Sequence, residues 1–286
     1  MRRLLALLFV LAGLVALAGC VPPDNDDDDD DDSTETPLEP APRRVLHEVF
    51  SGSNCGPCNS ADARILEILE ANPGRHVLLA YHVGSDPYMT FESVGRKMWY
   101  LPGESGYSIP WLHADGVNGL HPNLTNDGEG YLQSDFDGFA AVPAPLDIQV
   151  SHSITDQTVN YSLTLLPTED VPSEELVLHV AIIEGVTYNN VGTNGQTEFH
   201  HVMKKMVPDD EGTGIDPLVA GEDVSFSGSY TFQGDYVSGT GVGNLVNHSI
   251  EHTVEEFDDL SVVVFVQDRE SWAVHQSAWS GEHSSE

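Results

Sequence analysis

Two cysteines three positions apart, Cys55 and Cys58, stand where one backbone pattern gives way to another. That junction constrains the fold more than any other feature of the chain. Upstream, residues 45–50 (VLHEVF) read as a strand, followed by the turn-prone Ser51-Gly52-Ser53-Asn54. Downstream, Ala61, Ile65, Leu66 and Leu69 recur at helical spacing, and Asn72-Pro73-Gly74 stops the helix. Residues 76–83 (HVLLAYHV) then read as a buried strand. Strand, helix and strand imply a right-handed βαβ unit with a parallel pair. The cysteines therefore fall at a helix N-terminus, where unpaired N–H groups and the macrodipole favour a thiolate. Pro57 costs little there, because its missing N–H has no intrahelical partner in the first turn.

The chain holds only three cysteines, and the third explains itself by position. Arg2 and Arg3 precede an apolar run over 4–18, too short to span a bilayer and right for a secretion signal. The run ends in Leu17-Ala18-Gly19-Cys20, which resembles the lipobox of bacterial lipoproteins. That resemblance implies a signal peptide over 1–19, removed before Cys20, and acyl chains on Cys20 that hold the protein to a membrane. Val21 rather than Asp after the cysteine points to the outer membrane. Residues 20–42 carry seven consecutive Asp (Asp26 to Asp32) and several prolines, the composition of a disordered acidic tether. The chain as a whole has 46 acidic against 11 basic residues. Such a surface repels nucleic acid, so no nucleic-acid partner is expected.

Further on, Ser108-Ile109-Pro110-Trp111 is followed by Asp115-Gly116, a hairpin signal. Together with Cys55-Gly56-Pro57-Cys58 between strand and helix, this resembles the thioredoxin superfamily over residues 43–142. The resemblance implies a cis bond at Ile109–Pro110, with Pro110 against the cysteine pair and the Ile109 backbone docking an incoming peptide. It implies Cys55 and Cys58 as the redox pair, joined as a disulfide in one state, with a protein thiol or disulfide as substrate and no cofactor. Two positions depart from the pattern. Asn54 stands where thioredoxins commonly have Trp, and Val49 stands where they bury an acid. Glu48 is one residue off; as a proton relay for Cys58 it would need to reach the opposite face of its strand.

Pro143-Ala144-Pro145 marks a change of character. Segments 146–154, 158–166, 176–184, 199–207, 224–232, 260–268 and 272–279 read as seven strands, the count of an immunoglobulin-like sandwich. The expected fold is thus an α/β thioredoxin-like domain followed by an all-β immunoglobulin-like sandwich over 143–286. The arrangement looks like a bacterial outer-membrane lipoprotein family with that domain order. Lys204 and Lys205 read as charges that guard an edge strand. His248 and His252, four apart, lack a third ligand, and no zinc or calcium spacing is present, so no metal is expected. Two functions follow: a membrane-anchored thiol–disulfide oxidoreductase acting on exported proteins, or a surface scaffold with a structural disulfide whose sandwich binds a partner.

Overall fold

The computed structural model describes residues 38–100, 108–123, 130–238 and 244–281. Cys20, the signal and most of the tether lie outside the described residues. Leu38–Glu286 forms one compact unit.

The strand–helix–strand pattern around the cysteines forms as read. β1 (Val45–Ser51) pairs in parallel with β2 (His76–His82), and α1 (Cys58–Glu70) connects them. Asn72 donates its backbone N–H to the Leu69 carbonyl, and Gly74 takes a positive φ where the helix turns back. Next come α2 (Phe91–Tyr100), β3 (Trp111–Ala114), β4 (Val117–Leu120) and α3 (Gln133–Ala140). β3 runs antiparallel to β1, and β4 antiparallel to β3. Their two-residue connection is Asp115-Gly116, both with positive φ, the conformation that twists a tight hairpin correctly. A Cβ at Gly116 would collide with the Trp272 carbonyl oxygen.

The remaining strands are β5 (Leu146–Thr155), β6 (Thr158–Pro167), β7 (Leu176–Thr187), β8 (Phe199–Val207), β9 (Thr213–Gly214), β10 (Val224–Thr231), β11 (Asp235–Tyr236), β12 (Glu251–His252), β13 (Leu260–Asp268) and β14 (Val274–Trp279). They correct the expected fold class. The chain is not an α/β domain followed by a separate sandwich. Among the described residues, one mixed sheet runs in the order β14-β13-β7-β8-β2-β1-β3-β4, with β9 beside β7. Strands from both halves of the sequence therefore share it, joined where β8 meets β2 in parallel at Ala80 and Val202. Only β5, β6 and β10 form a second antiparallel layer, and β11 with β12 a small ribbon.

The physical reason lies in two-sided burial. β10 and most of β5 alternate half-buried and exposed residues, as a strand with one wet face must. β7 and β13 bury nearly every residue. Such strands need apolar cover on both faces, which the outer layer of a sandwich cannot offer. One face of β7 and β13, with Leu178, Val180, Val262 and Val264, packs on Ile148 and Leu163 of the three-stranded layer. The other, with Ala181, Ile183, Val263 and Phe265, packs on Leu46, Phe50, Leu79 and Tyr81 of β1 and β2. The opposite face of β1, Val45 and Val49, is covered by Ile65 and Ile68 of α1 and Phe136 of α3.

Candidate functional site

Cys55 and Cys58 are joined by a disulfide across a Cα–Cα distance of 5.3 Å. The two sulfurs are placed differently. Cys58 is the first residue of α1 and is fully buried. Cys55 precedes the helix and is half-exposed, between buried Ser53 and exposed Gly56 and Pro57. Pro57 occupies the N-cap and supplies no side-chain cap. The first-turn N–H groups of α1 therefore present their positive end beside the sulfur pair.

The Ile109–Pro110 bond is cis, and the Ile109 carbonyl oxygen lies 3.5 Å from Cys55 Sγ. Pro110 is buried and Ile109 half-buried. Ile109 and Cys55, which the resemblance brings together, are thus adjacent, although 54 positions separate them.

Glu48 is placed elsewhere. It lies on the face of β1 that alternates with Val49, away from α1, among the residues that pack on β7 and β13. Arg96 donates Nε to Oε1 at 2.7 Å and Nη2 to Oε2 at 3.1 Å. Tyr81 donates its hydroxyl to Oε1 at 2.9 Å, and Tyr100 donates to Oε2. Burial raises the Glu48 carboxyl, but Arg96 and these donors outweigh it and hold the group below its ordinary range. The four groups make a buried network that extends to Gln267, and none of Glu48's hydrogen bonds goes to a cysteine.

Three further features around the pair were not read from the sequence. The first is a strap, residues 190–196, between β7 and β8. Asn194 donates its backbone N–H to the Ser53 carbonyl at 2.9 Å, and its Nδ2 to the Gly52 carbonyl at 3.3 Å. Asn59 of α1 donates Nδ2 to the Asn194 carbonyl at 3.1 Å. Gly192 approaches so closely that an added Cβ would lie 2.5 Å from Ser53 O. The second is Asp86, which accepts the backbone N–H groups of Ser53 at 2.7 Å and Tyr88 at 2.8 Å, and sits 3.0 Å from His82 Nδ1. Burial pushes its carboxyl up, but His82 and these N–H groups outweigh that and keep it low.

The third is Asp62 on α1. Its Oδ2 accepts from Ser51 Oγ at 2.8 Å and from Gln196 Nε2 at 3.0 Å. Burial raises this carboxyl above its ordinary range, more than its donors lower it. Asp62 borders a cavity of about 20 Å³ between α1, β2 and β8, shared with His82 and His200. That is room for one water molecule. Asp62 had a signal in the sequence, since it follows Cys58 by four positions. The strap had none, because it lies about 140 positions away.

Comparison with known proteins adds fold-level likeness. The chain superposes on HBP35 of Porphyromonas gingivalis with a TM-score of 0.59 at 14% identity, over 84% of this chain and 75% of that one. It superposes on the crystal structure of a protein from Agrobacterium tumefaciens with a TM-score of 0.52 at 14% identity, over 87% of this chain and 98% of that one. A domain of the outer membrane lipoprotein Omp28 from Porphyromonas gingivalis matches over 48% of this chain and 86% of that one, at 18% identity and a TM-score of 0.29, too low to bear on the fold. No protein-family model matches the chain, and no curated protein does. The first two likenesses, at this identity, speak to architecture alone.

Proposed function

We propose that this chain is a lipid-anchored protein of the cell envelope, held by Cys20, whose Cys55–Cys58 pair exchanges disulfides with exported protein substrates. The observation that carries the reading is the asymmetry of the pair. Cys55 is half-exposed beside the Ile109 backbone, and Cys58 is enclosed at the start of α1. An exposed sulfur at a helix N-terminus can be attacked by a substrate thiolate, or attack a substrate disulfide once reduced. The enclosed partner, one turn on, then opens or closes the internal disulfide. An extended substrate beside Ile109 would find a backbone edge at the reacting sulfur. Pro110 shapes that edge. The likeness to the thioredoxin superfamily read from Cys55-Gly56-Pro57-Cys58 and Ile109-Pro110 supports the same chemistry, the Leu17-Ala18-Gly19-Cys20 pattern supports the anchor, and Val21 after it supports an outer-membrane location.

A second reading is a scaffold with a structural disulfide, in which the β-rich half binds a partner. The strap favours it: hydrogen bonds from Asn194 and Asn59 fasten the segment on both sides of Cys55. Redox titration of the full chain by mass-tagging separates the two. A midpoint between roughly −120 and −270 mV, with catalysis of insulin reduction or ribonuclease refolding, supports exchange. A disulfide that resists reduction below about −300 mV and catalyses neither reaction supports the scaffold.

A further inference from the structure

The outer face of the three-stranded layer carries no charge. Antiparallel register sets Gln149, Thr164 and Ser225 side by side in one row, and Ser151, Ser162 and Ser227 in the next. Ser153, Asn160 and Ser229 follow, then Thr155, Thr158 and Thr231. These twelve positions, four rows of three, are exposed or half-buried. Every one is Ser, Thr, Asn or Gln. The residues that alternate with them, such as Ile148, Val159 and Leu163, pack in the core.

A dry inner face explains why the outer residues are polar, not why they are neutral. Soluble surfaces are typically ~25–35% charged, so about three or four of twelve positions should carry a charge. This chain has 46 acidic residues to draw on. β10 stands at the edge of its layer, where a charged side chain ordinarily blocks pairing with another sheet, and it has none.

The hydroxyls are organised. Ser151 Oγ and Ser162 Oγ lie 2.9 Å apart, Thr164 Oγ1 and Ser225 Oγ 3.0 Å, and Thr158 Oγ1 and Thr231 Oγ1 2.8 Å. In such a pair one hydroxyl donates to the other, and the second keeps its proton for a partner outside. Each pair therefore offers a donor and acceptor lone pairs together. Gln149, Ser151, Ser162 and Thr164 also border a depression of about 360 Å³, within the range of small-ligand sites. Rows ~6.8 Å apart on strands ~4.8 Å apart make a face of roughly 20 by 10 Å.

That chemistry selects a ligand. Phosphate, sulfate and carboxylate are recognised by cations, and the face has none. A protein partner is anchored by aromatic side chains or Arg, and a membrane by apolar ones, and this face has neither. A neutral sugar chain matches it: uncharged, repeating, with hydroxyls that donate and accept at once. The ~4.8 Å strand spacing is about the length of one sugar ring, so a chain crossing the strands meets a polar side chain of the same row at each ring. We infer that the outer face of β5, β6 and β10 binds a neutral polysaccharide, with one ring seated among Gln149, Ser151, Ser162 and Thr164. The inference holds under either reading of the cysteine pair, because the face shares no residue with that site.

The test is affinity electrophoresis of the full chain in native gels containing dextran, mannan or xylan, with alginate, an anionic polysaccharide, as the control. We expect slowed migration in at least one neutral gel and unchanged migration in alginate. Ser162→Glu, in the middle strand, should abolish the slowing. Ser151→Ala combined with Ser162→Ala removes two hydroxyls and adds no bulk. It should weaken binding ~10-fold, read from the polysaccharide concentration at half-retardation. Unchanged migration in all three neutral gels overturns the inference. So does slowing that Ser162→Glu leaves intact, or slowing as strong in alginate. A concentration-dependent dimer in sedimentation, lost in Ser162→Glu while no gel slows the wild type, makes the face a contact between copies of the chain and also overturns it. None of these readouts involves the cysteines, so failure here leaves the exchange reading standing.

Discussion

Glu48 and Arg96 form a two-pronged ion pair with both side chains wholly out of solvent, Nε 2.7 Å from Oε1 and Nη2 3.1 Å from Oε2. Arg96 also donates to Gln267 of β13 at 2.5 Å, so the pair ties α2 and β1 to the far side of the sheet. Arg96→Met leaves an enclosed carboxylate without its cation and should destabilise the protein by ~3–5 kcal/mol. Adding Glu48→Leu to it should recover most of that loss, because the charge is then gone as well. Urea denaturation of the two variants checks both statements.

The cysteines should differ in reactivity once reduced. Cys55 is half-exposed at the mouth of the site and Cys58 is enclosed. Iodoacetamide at mild pH should label Cys55 at least ~10-fold faster than Cys58. Peptide mapping after a short pulse gives the ratio, and equal labelling would refute the geometry.

The strap should control how firmly the cysteine turn is held. Asn194→Ala removes the Nδ2 donor to the Gly52 carbonyl and should cost about 1 kcal/mol. Gly192→Val cannot be accommodated without moving Ser53 and should open the turn further. Hydrogen exchange at residues 52–59 should rise in both variants, more in the second, with the strands of the three-stranded layer unchanged.

Acid should weaken the fold through enclosed histidines. Burial depresses His47 to about 3, and His113 to about 4. In the unfolded chain both titrate near 6.5, so between those values and 6.5 the unfolded state binds more protons. Stability is therefore present above pH 6.5 and is lost as pH falls. Going from pH 7 to pH 5 should cost on the order of 2 kcal/mol for each. Asp115, raised by burial to about 6, acts in the opposite sense over part of that range and offsets some of the loss. Denaturant midpoints at the two pH values, with His47→Gln as the comparison, measure the share of one histidine.

A fragment ending at residue 142 should not fold by itself. Leu46, Phe50, Leu79 and Tyr81 would lose Ala181, Ile183, Val263 and Phe265, which cover them in the full chain. We expect weak near-ultraviolet dichroism and dye binding typical of exposed apolar surface. A fragment with sharp, dispersed amide resonances would contradict this.

Much of the local structure was legible. The helix start at the cysteines follows from the change of period after Asn54, and all seven strands expected between 146 and 279 form within a few residues of their read limits. Assembly was less legible, because alternation tells which face of a strand is dry and not which partner covers it. The warning was in β7 and β13, whose unbroken apolar runs suit a doubly covered strand. Lys204 was misread for the same reason. β8 lies between β7 and β2, and Lys204 pairs with Glu184 at 2.9 Å with both side chains enclosed, so it guards no edge. Glu48 was found as the acid near the expected place, but its partner Arg96 is 48 positions away and could not be inferred from spacing.

The separation of the strap from the cysteines turns chain order into a clock. The contact between Asn194 and Gly52 spans 142 positions, so during synthesis both sulfurs emerge well before the segment that fastens them. In that interval they are ordinary thiols on an unfinished polypeptide, open to mispairing. The clasp over the cysteine turn can close only after residue 194 has joined the chain.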